Sequence, residues 1–385
     1  MRTKNFIIRN TLIFSVLITV FLISCGNNST NDNNNNKDST SVITNLDMEK
    51  THQPSDLKPT GEKPAWGKDL TNPMAVVIEK LKSYNAPPLT SLSATEARKQ
   101  PSPADAAMAV MLEHDIPLTP GNVDTIGKDI PVKGGQVHVR IYTPGTGKDT
   151  YPVIVYYHGG GWVIADLNTY NASAEGLANQ VEAVVVSVAY RQAPEHKFPT
   201  AHNDCYAAYE WTVKNAASIK GDPKRIAVVG ESAGGNLAAA VSMMARDKGM
   251  QLPVHQVLVY PIAGYDFNTP SYKQSDSIAP LNSGLMKWFF EKYLNSPSDG
   301  KGQMISLVTA NLKGLPSTTI IAAEYDPLRS EGEMLSDNLK KAGVNTNYKL
   351  YKGVTHEFFG MAAVVPDAKD AQSFATVELK RAFQK

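Results

Sequence analysis

Cysteine is nearly absent: the 385-residue chain has two, Cys25 and Cys205. A disulfide-stapled framework is thereby excluded, and if Cys25 is modified no intrachain disulfide can form. An excess of charge of one sign is missing too. Lysine and arginine total 38 against 37 aspartates and glutamates, a net +1, so no field steers the molecule toward nucleic acid or anionic substrates. The apolar run over residues 12–23 is too short to cross a bilayer. No internal repeat appears, and no motif calls for a metal or a cofactor. What remains is ordinary globular material, 42% hydrophobic and 19% charged. It suffices for one large α/β domain or two small ones.

The first residues read as a targeting segment. Arg2, Lys4 and Arg9 precede the 12–23 run, whose length suits a signal-peptide core. It ends in Leu22-Ile23-Ser24-Cys25-Gly26, which resembles a bacterial lipobox. That resemblance implies lipidation of Cys25, which becomes the first residue of the mature chain. The chain is then expected in a bacterial cell envelope, on the periplasmic or outer-membrane face. Several acyl chains on one residue anchor stably where a single chain does not. Beyond Cys25 the sequence is rich in Asn, Asp, Ser, Thr and Lys, with an asparagine run at 33–36. Such a segment cannot bury enough surface to order itself. The expected division is a signal peptide over 1–24, a disordered tether over 25–69 and a folded body over 70–385.

In the body, apolar residues recur at helical spacing after Pro73 (Val76, Val77, Ile78, Leu81), and Ser93-Ala94-Thr95-Glu96 has the spacing of a capping box. Pro101 and Pro103 interrupt, and 104–113 reads as more helix. Residues 136–142 alternate as a half-buried strand does. By contrast 153–157, 183–188, 226–229, 257–260 and 319–323 are continuous apolar runs, the mark of parallel strands buried on both faces. Helical stretches lie between them, at 171–181, 202–217, 236–247, 281–294 and 331–342, and 347–351 and 368–383 supply a last strand and helix. Strands alternating with helices predict a doubly wound α/β fold. Cys205, among Tyr206, Ala207 and Ala208, reads as a buried small hydrophobe.

The chemistry centres on Gly230-Glu231-Ser232-Ala233-Gly234-Gly235, between a buried strand and a helix-forming run. A serine on such a turn is held proud of the sheet, where a base can reach it. Its partners follow in the order Asp or Glu, then His. Only His255 and His356 come later in the chain. His356 stands just after the last strand, at the end of the sheet where ligands bind, and is taken as the base. Asp326 directly follows another strand, ahead of Pro327, and is preferred to its rival Glu324 as the orienting carboxylate. Asp266, Asp276 and Asp299 lie in less regular stretches. His158-Gly159-Gly160-Gly161-Trp162 closes the strand over 153–157, and consecutive glycines let backbone N–H groups turn toward an oxyanion. Trp162, Trp288, Phe289, Phe358 and Phe359 are candidates for pocket wall or for core.

From about residue 70 onward the chain resembles the hormone-sensitive lipase family of α/β-hydrolases. The motifs above carry the resemblance in order, with Asp326-Pro327-Leu328, His356-Glu357-Phe358 and the stretch from Tyr190 to Pro199. The resemblance implies an α/β-hydrolase fold with a mostly parallel central sheet, helices on both faces and an N-terminal helical cap over 70–118. It implies a Ser232–Asp326–His356 triad and an oxyanion hole from the N–H groups of Gly160, Gly161 and Ala233. His158, Glu195 and His196 are then supporting residues. Glu231 stands where Asp is commoner and Ala165 where Gly is common; Gln192 and Lys197 replace Leu and Pro. The implied activity is hydrolysis of carboxylic esters. The apolar residues of the 70–118 block come in ordinary amphipathic number, without an extended exposed apolar surface, so short to medium acyl chains are expected over lipid emulsions. The balanced charge leaves no nucleic acid partner, and no oligomeric state is indicated. A binding protein that has lost its base, or an amide or sugar-ester deacylase, would share the fold.

Overall fold

The computed structural model describes residues 53–117 and 121–384. Eight strands form one sheet: β1 Val123–Val132, β2 Gly135–Pro144, β3 Tyr151–Tyr157, β4 Val184–Ala189, β5 Gly221–Glu231, β6 His255–Val259, β7 Ser317–Tyr325 and β8 Thr346–Thr355. Their spatial order is β1-β2-β4-β3-β5-β6-β7-β8. The β1/β2 and β2/β4 pairs are antiparallel. Every pair from β4/β3 to β7/β8 is parallel. The expected mostly parallel sheet is thus present.

Alternation along each strand divides the core in two. Val153, Val155 and Tyr157 of β3 join one cluster with Cys205, Leu237 and Leu335. Ile154 and Tyr156 join the other with Leu177, Ala371 and Leu379. The helices supply these partners: α1 Asn72–Ser83, α2 Ala94–Ala97, α3 Pro103–Glu113, α4 Asn171–Val181, α5 Thr200–Asn215, α6 Ala233–Asp247, α7 Pro270–Lys273, α8 Ser283–Tyr293, α9 Pro297–Gly300, α10 Arg329–Lys341 and α11 Pro366–Phe383. With α5, α6 and α10 on one face and α4 and α11 on the other, a strand must be apolar at successive positions, which is why these runs are continuous. Cys205 is a free, buried thiol, as expected.

The N-terminal block packs onto the end of the sheet that bears the loops. Thr71 N–H donates to Gly353 O at 2.8 Å. Arg98, just after α2, donates to Val163 O and Ala193 O at 2.8 and 2.7 Å and to both oxygens of Glu195. Ser93 and Glu96 form the expected capping box at the start of α2.

Three expectations need correction. Strand β1 has no counterpart in the sequence reading; it is an edge strand with Ile130 alone buried, so it carries little pattern. The four-residue helices α7 and α9 are likewise additions. The tether expected over 25–69 is packed from residue 53 on. Leu57 is buried, and Thr60 and Gly61 donate their N–H groups to Glu79 at 2.9 and 3.0 Å. Trp66 meets Tyr325 edge-on, with ring centroids 5.9 Å apart. These point contacts offset a composition that is otherwise too polar to fold. The part of the expected tether up to residue 52 lies outside the described residues, as do the signal peptide and Cys25.

A chain beginning at residue 70 is therefore expected to be less stable than one beginning at residue 53. The loss of a buried leucine and an aromatic contact is worth about 2–4 kcal/mol. Urea unfolding of the two checks this, as a lower midpoint at similar slope.

Candidate active site

Strand β5 runs straight into the turn that presents Ser232. There φ is 56° and ψ −117°, a conformation an L residue keeps only where its surroundings impose it. The imposition is steric and hydrogen-bonded. A Cβ on Gly230 would lie 2.0 Å from Gly234 O, and one on Gly234 would lie 1.9 Å from Tyr157 O. Ser232 N–H donates to Val259 O at 2.9 Å, and its carbonyl accepts from Ile262 N–H at 3.2 Å. Helix α6 starts at the next residue, so its unpaired N–H groups and partial positive charge lie beside the serine.

The three sequence-derived side chains stand at the C-terminal ends of β5, β7 and β8, and all are buried. His356 Nδ1 is 2.6 Å from Asp326 Oδ2, and Asp326 Oδ1 accepts from Leu328 N–H at 2.8 Å. Glu324, the rival, turns elsewhere and accepts from Gly353 N–H at 2.7 Å. His255 lies at the opposite end of its strand, facing the hydroxyls of Ser317 and Thr319 at 2.8 and 3.0 Å. Asp266, Asp276 and Asp299 are occupied by Asn268, Ser283 and the first turn of α9. Burial opposes a charge on His356. The Asp326 carboxylate, aided by Glu357 and Glu231, more than compensates and lifts its pKa above the usual histidine value.

The glycine loop follows β3, next to β5 in the sheet. Gly160 and Gly161 hold φ of +92° and +58°, and Gly160 O accepts from Val163 and Ile164 N–H at 3.0 and 2.9 Å. Among the described residues, the N–H groups of Gly160, Gly161 and Ala233 enter none of the turn and loop hydrogen bonds of the backbone. A Cβ on Gly161 would strike the Phe289 ring at 2.2 Å, so an α8 aromatic lies directly on this loop. Ala165 keeps φ +65°, which accounts for the glycine commoner there. Gln192 Nε2 donates to Ile164 O and Ala165 O at 2.7 and 2.9 Å and steadies that loop.

The supporting residues divide. His158 stacks on Tyr190, centroids 4.3 Å apart, and burial drives its pKa down to about 4. Glu195 pairs with Arg98 of the N-terminal block, and that hydrogen bond holds its pKa at about 2. His196 is exposed. Of the aromatic candidates, Trp162 stacks on Tyr293 at 4.5 Å inside the core, and Phe358 and Phe359 are fully buried.

Sequence reasoning missed a cluster beneath the site. Glu231 accepts from the Tyr156 and Tyr260 hydroxyls at 2.5 Å each. The Tyr260 ring lies 4.4 Å from the His356 ring. Tyr170 OH reaches Glu357. Tyr260 follows the C-terminal end of β6, and the rule that located Asp326 and His356 points there too. Among the described residues, no cluster of three or more His, Cys, Asp or Glu is arranged to hold a metal ion.

The chain is similar to known proteins in sequence and fold. A family profile described as an alpha/beta hydrolase fold matches residues 154–360. The carboxylesterase NlhH of Mycobacterium tuberculosis is 38% identical over 252 residues, 64% of this chain and 79% of its own length. The ethyl acetate hydrolase of Pseudomonas putida is 30% identical over 288 residues, 74% and 88% of the two chains. Among solved structures, a hyperthermophilic esterase from Pyrobaculum calidifontis aligns with TM-score 0.69 at 37% identity, covering 76% of this chain and 94% of that one. A thermostable esterase from Pseudomonas putida aligns with TM-score 0.74 at 32% identity, covering 81% and 97%. The chain belongs to the α/β-hydrolase family that contains the hormone-sensitive-lipase-like esterases.

Because Asp326 and not Glu324 meets the imidazole, Asp326→Asn is expected to lower kcat for ester hydrolysis by about 10⁴. Glu324→Gln keeps an acceptor for Gly353 and should leave kcat within about tenfold of wild type. Steady-state kinetics on the two variants separates them.

Proposed function

We propose that the protein is a serine carboxylesterase working through an acyl-enzyme on Ser232. The observation that carries this is the 2.6 Å contact between His356 and Asp326, after strands that finish at the same end of the sheet as the strained serine turn. Ser232 Oγ attacks the ester carbonyl while His356 Nε2 takes its proton. Asp326 holds Nδ1–H, fixes the tautomer and stabilises the imidazolium. The carbonyl oxygen, now negative, is met by the N–H groups of Gly160, Gly161 and Ala233 and by the N-terminus of α6. His356 then protonates the departing alcohol, and water repeats the sequence on the acyl-enzyme to release the acid. The imidazole must be neutral to accept the proton, so activity falls as pH drops through its raised pKa.

Short to medium acyl chains fit the surroundings best. Ser232 is only 4% exposed, and Phe289 closes the space against Gly161. Among the described residues, the exposed large apolar side chains are Met108, Leu112, Ile126, Met334 and Val377. Met108 and Leu112 share one face of α3 and the others lie on three further elements, too few together for a lid that docks on a lipid droplet. One relative is an ethyl acetate hydrolase. Each added methylene gains roughly 0.8 kcal/mol while wall remains to bury it, after which overpacking opposes it. On soluble esters, kcat/KM should rise with chain length, peak and fall. A fluorophosphonate probe should label the wild type and not Ser232→Ala. Persistent labelling of that variant, or rates that still climb at palmitoyl esters, would overturn the assignment.

The Leu22-Ile23-Ser24-Cys25 sequence supports a lipid anchor. Expressed with residues 1–24 in a bacterial host, the protein should enter the detergent phase on Triton X-114 partition. Cys25→Ala should leave it uncleaved or in the aqueous phase; a wild type found unlipidated in the aqueous phase rejects the anchor.

A further inference from the structure

Glu357 plays no part in the steps above, yet its Oε1 lies 3.6 Å from His356 Nε2. Nε2 is the nitrogen that must take the serine proton and return it to the alcohol. Nδ1 is already committed to Asp326. The base therefore has a carboxylate on each side. Glu357 is held in place: its φ is +72°, and the Tyr170 hydroxyl stands 2.6 and 2.7 Å from its two oxygens. That hydroxyl fills the space a Cβ on Gly159 would need, 2.2 Å away. The first glycine of the loop thus makes room for the phenol that holds Glu357.

The other groups facing this pair come from every neighbouring element. Asp326, after β7, stands at Nδ1. Glu231, ending β5, is clamped by Tyr156 of β3 and by Tyr260 after β6. Burial first, and then repulsion from Glu357, push Glu231 up to about 7. Burial keeps Tyr156, Tyr170 and Tyr260 neutral. His158, whose ring centroid is 5.9 Å from that of Tyr170, is neutral by its own burial. Burial first, with the Asp326 carboxylate adding to it, holds Glu357 above the usual carboxylate value, although His356 and Tyr170 pull it part of the way back, and its side chain keeps 21% of its surface open to water. Water contact and the Tyr170 donor favour the ionised form.

We propose that Glu357 is a second acidic partner of His356, acting at Nε2, where its charge stabilises the imidazolium and sets the acid limb of the pH profile. The inference rests on the triad reading above, and Glu357 acts through His356, not on the ester. An anion within a few ångströms favours the charged imidazole, so removing it must move the limb to lower pH.

The test uses the full chain. The pH profile of kcat/KM on a soluble ester is measured for wild type, Glu357→Gln and Tyr170→Phe, alongside a ¹⁵N titration of the His356 imidazole. In Glu357→Gln both the acid limb and the imidazole titration should move down by about one pH unit, with kcat lowered and KM little changed. Tyr170→Phe removes the donor that favours the charged carboxylate and should move both the same way by less. A limb and a titration that stay in place in Glu357→Gln, or move up, overturn the proposal. Fluorophosphonate labelling of the same samples keeps the two readings apart. An enzyme that labels normally with an unmoved limb rejects Glu357 alone. A wild type that fails to label rejects the triad, and the imidazole titration then decides for or against Glu357.

Discussion

The steric constraint on which the site depends is the approach of α6 to the end of β3. Tyr157 pairs with Gly230 in the β3/β5 register, and Gly234 meets Tyr157 O with no room for a side chain. With β3 and β5 locked together at this level, the loop after β3 and the turn after β5 must emerge side by side. The glycine loop, the serine and the start of α6 converge because of this contact. A methyl group at Gly234 would push the helix away and take the backbone N–H groups with it. The glycines of the motif are therefore a packing requirement as much as a conformational one.

The same end of the sheet gathers carboxylates. Glu231, Asp326 and Glu357 follow or end three different strands, and each has a specific donor: two tyrosines, a histidine with a backbone N–H, and one tyrosine. Buried carboxylates without such partners would be costly. The aromatic hydroxyls satisfy them without adding positive charge, so the field around His356 stays negative. An arginine in place of any of these tyrosines would satisfy the same oxygens and cancel that field.

Legibility in the sequence followed how much each feature depends on local pattern. Strands β3 to β7 announce themselves because both of their faces are buried, and Ser232 because its turn needs glycines at fixed offsets. Asp326 and Glu324 were harder to separate, since both carboxylates stand at the same end of β7, two residues apart. Only the bend at Pro327 favoured Asp326, and the structure shows what else Glu324 does, in its bond to Gly353. Strand β1 contains Gly127 and Pro131 and buries almost nothing, so it lacked a signature. Residues 53–69 were hidden by composition: a few contacts at Leu57, Thr60 and Trp66 order a segment whose average is polar. The Glu357–Tyr170 contact joins positions 187 residues apart, and no local pattern can reveal such a meeting.

The packing of the N-terminal block has a consequence for how the molecule is made. Thr71 bonds to Gly353, and Met74 meets Thr355, 281 residues away. The segment has its docking surface on a strand synthesised 281 residues after it. Loop-closure entropy over such a span must be met before the contact forms, so this block waits, undocked, while the sheet assembles. Its partner strand β8 is also the one that delivers His356. The base and the docking surface for the block therefore emerge together. A chain that has emerged only as far as β7 thus has neither a complete site nor a docked N-terminal block.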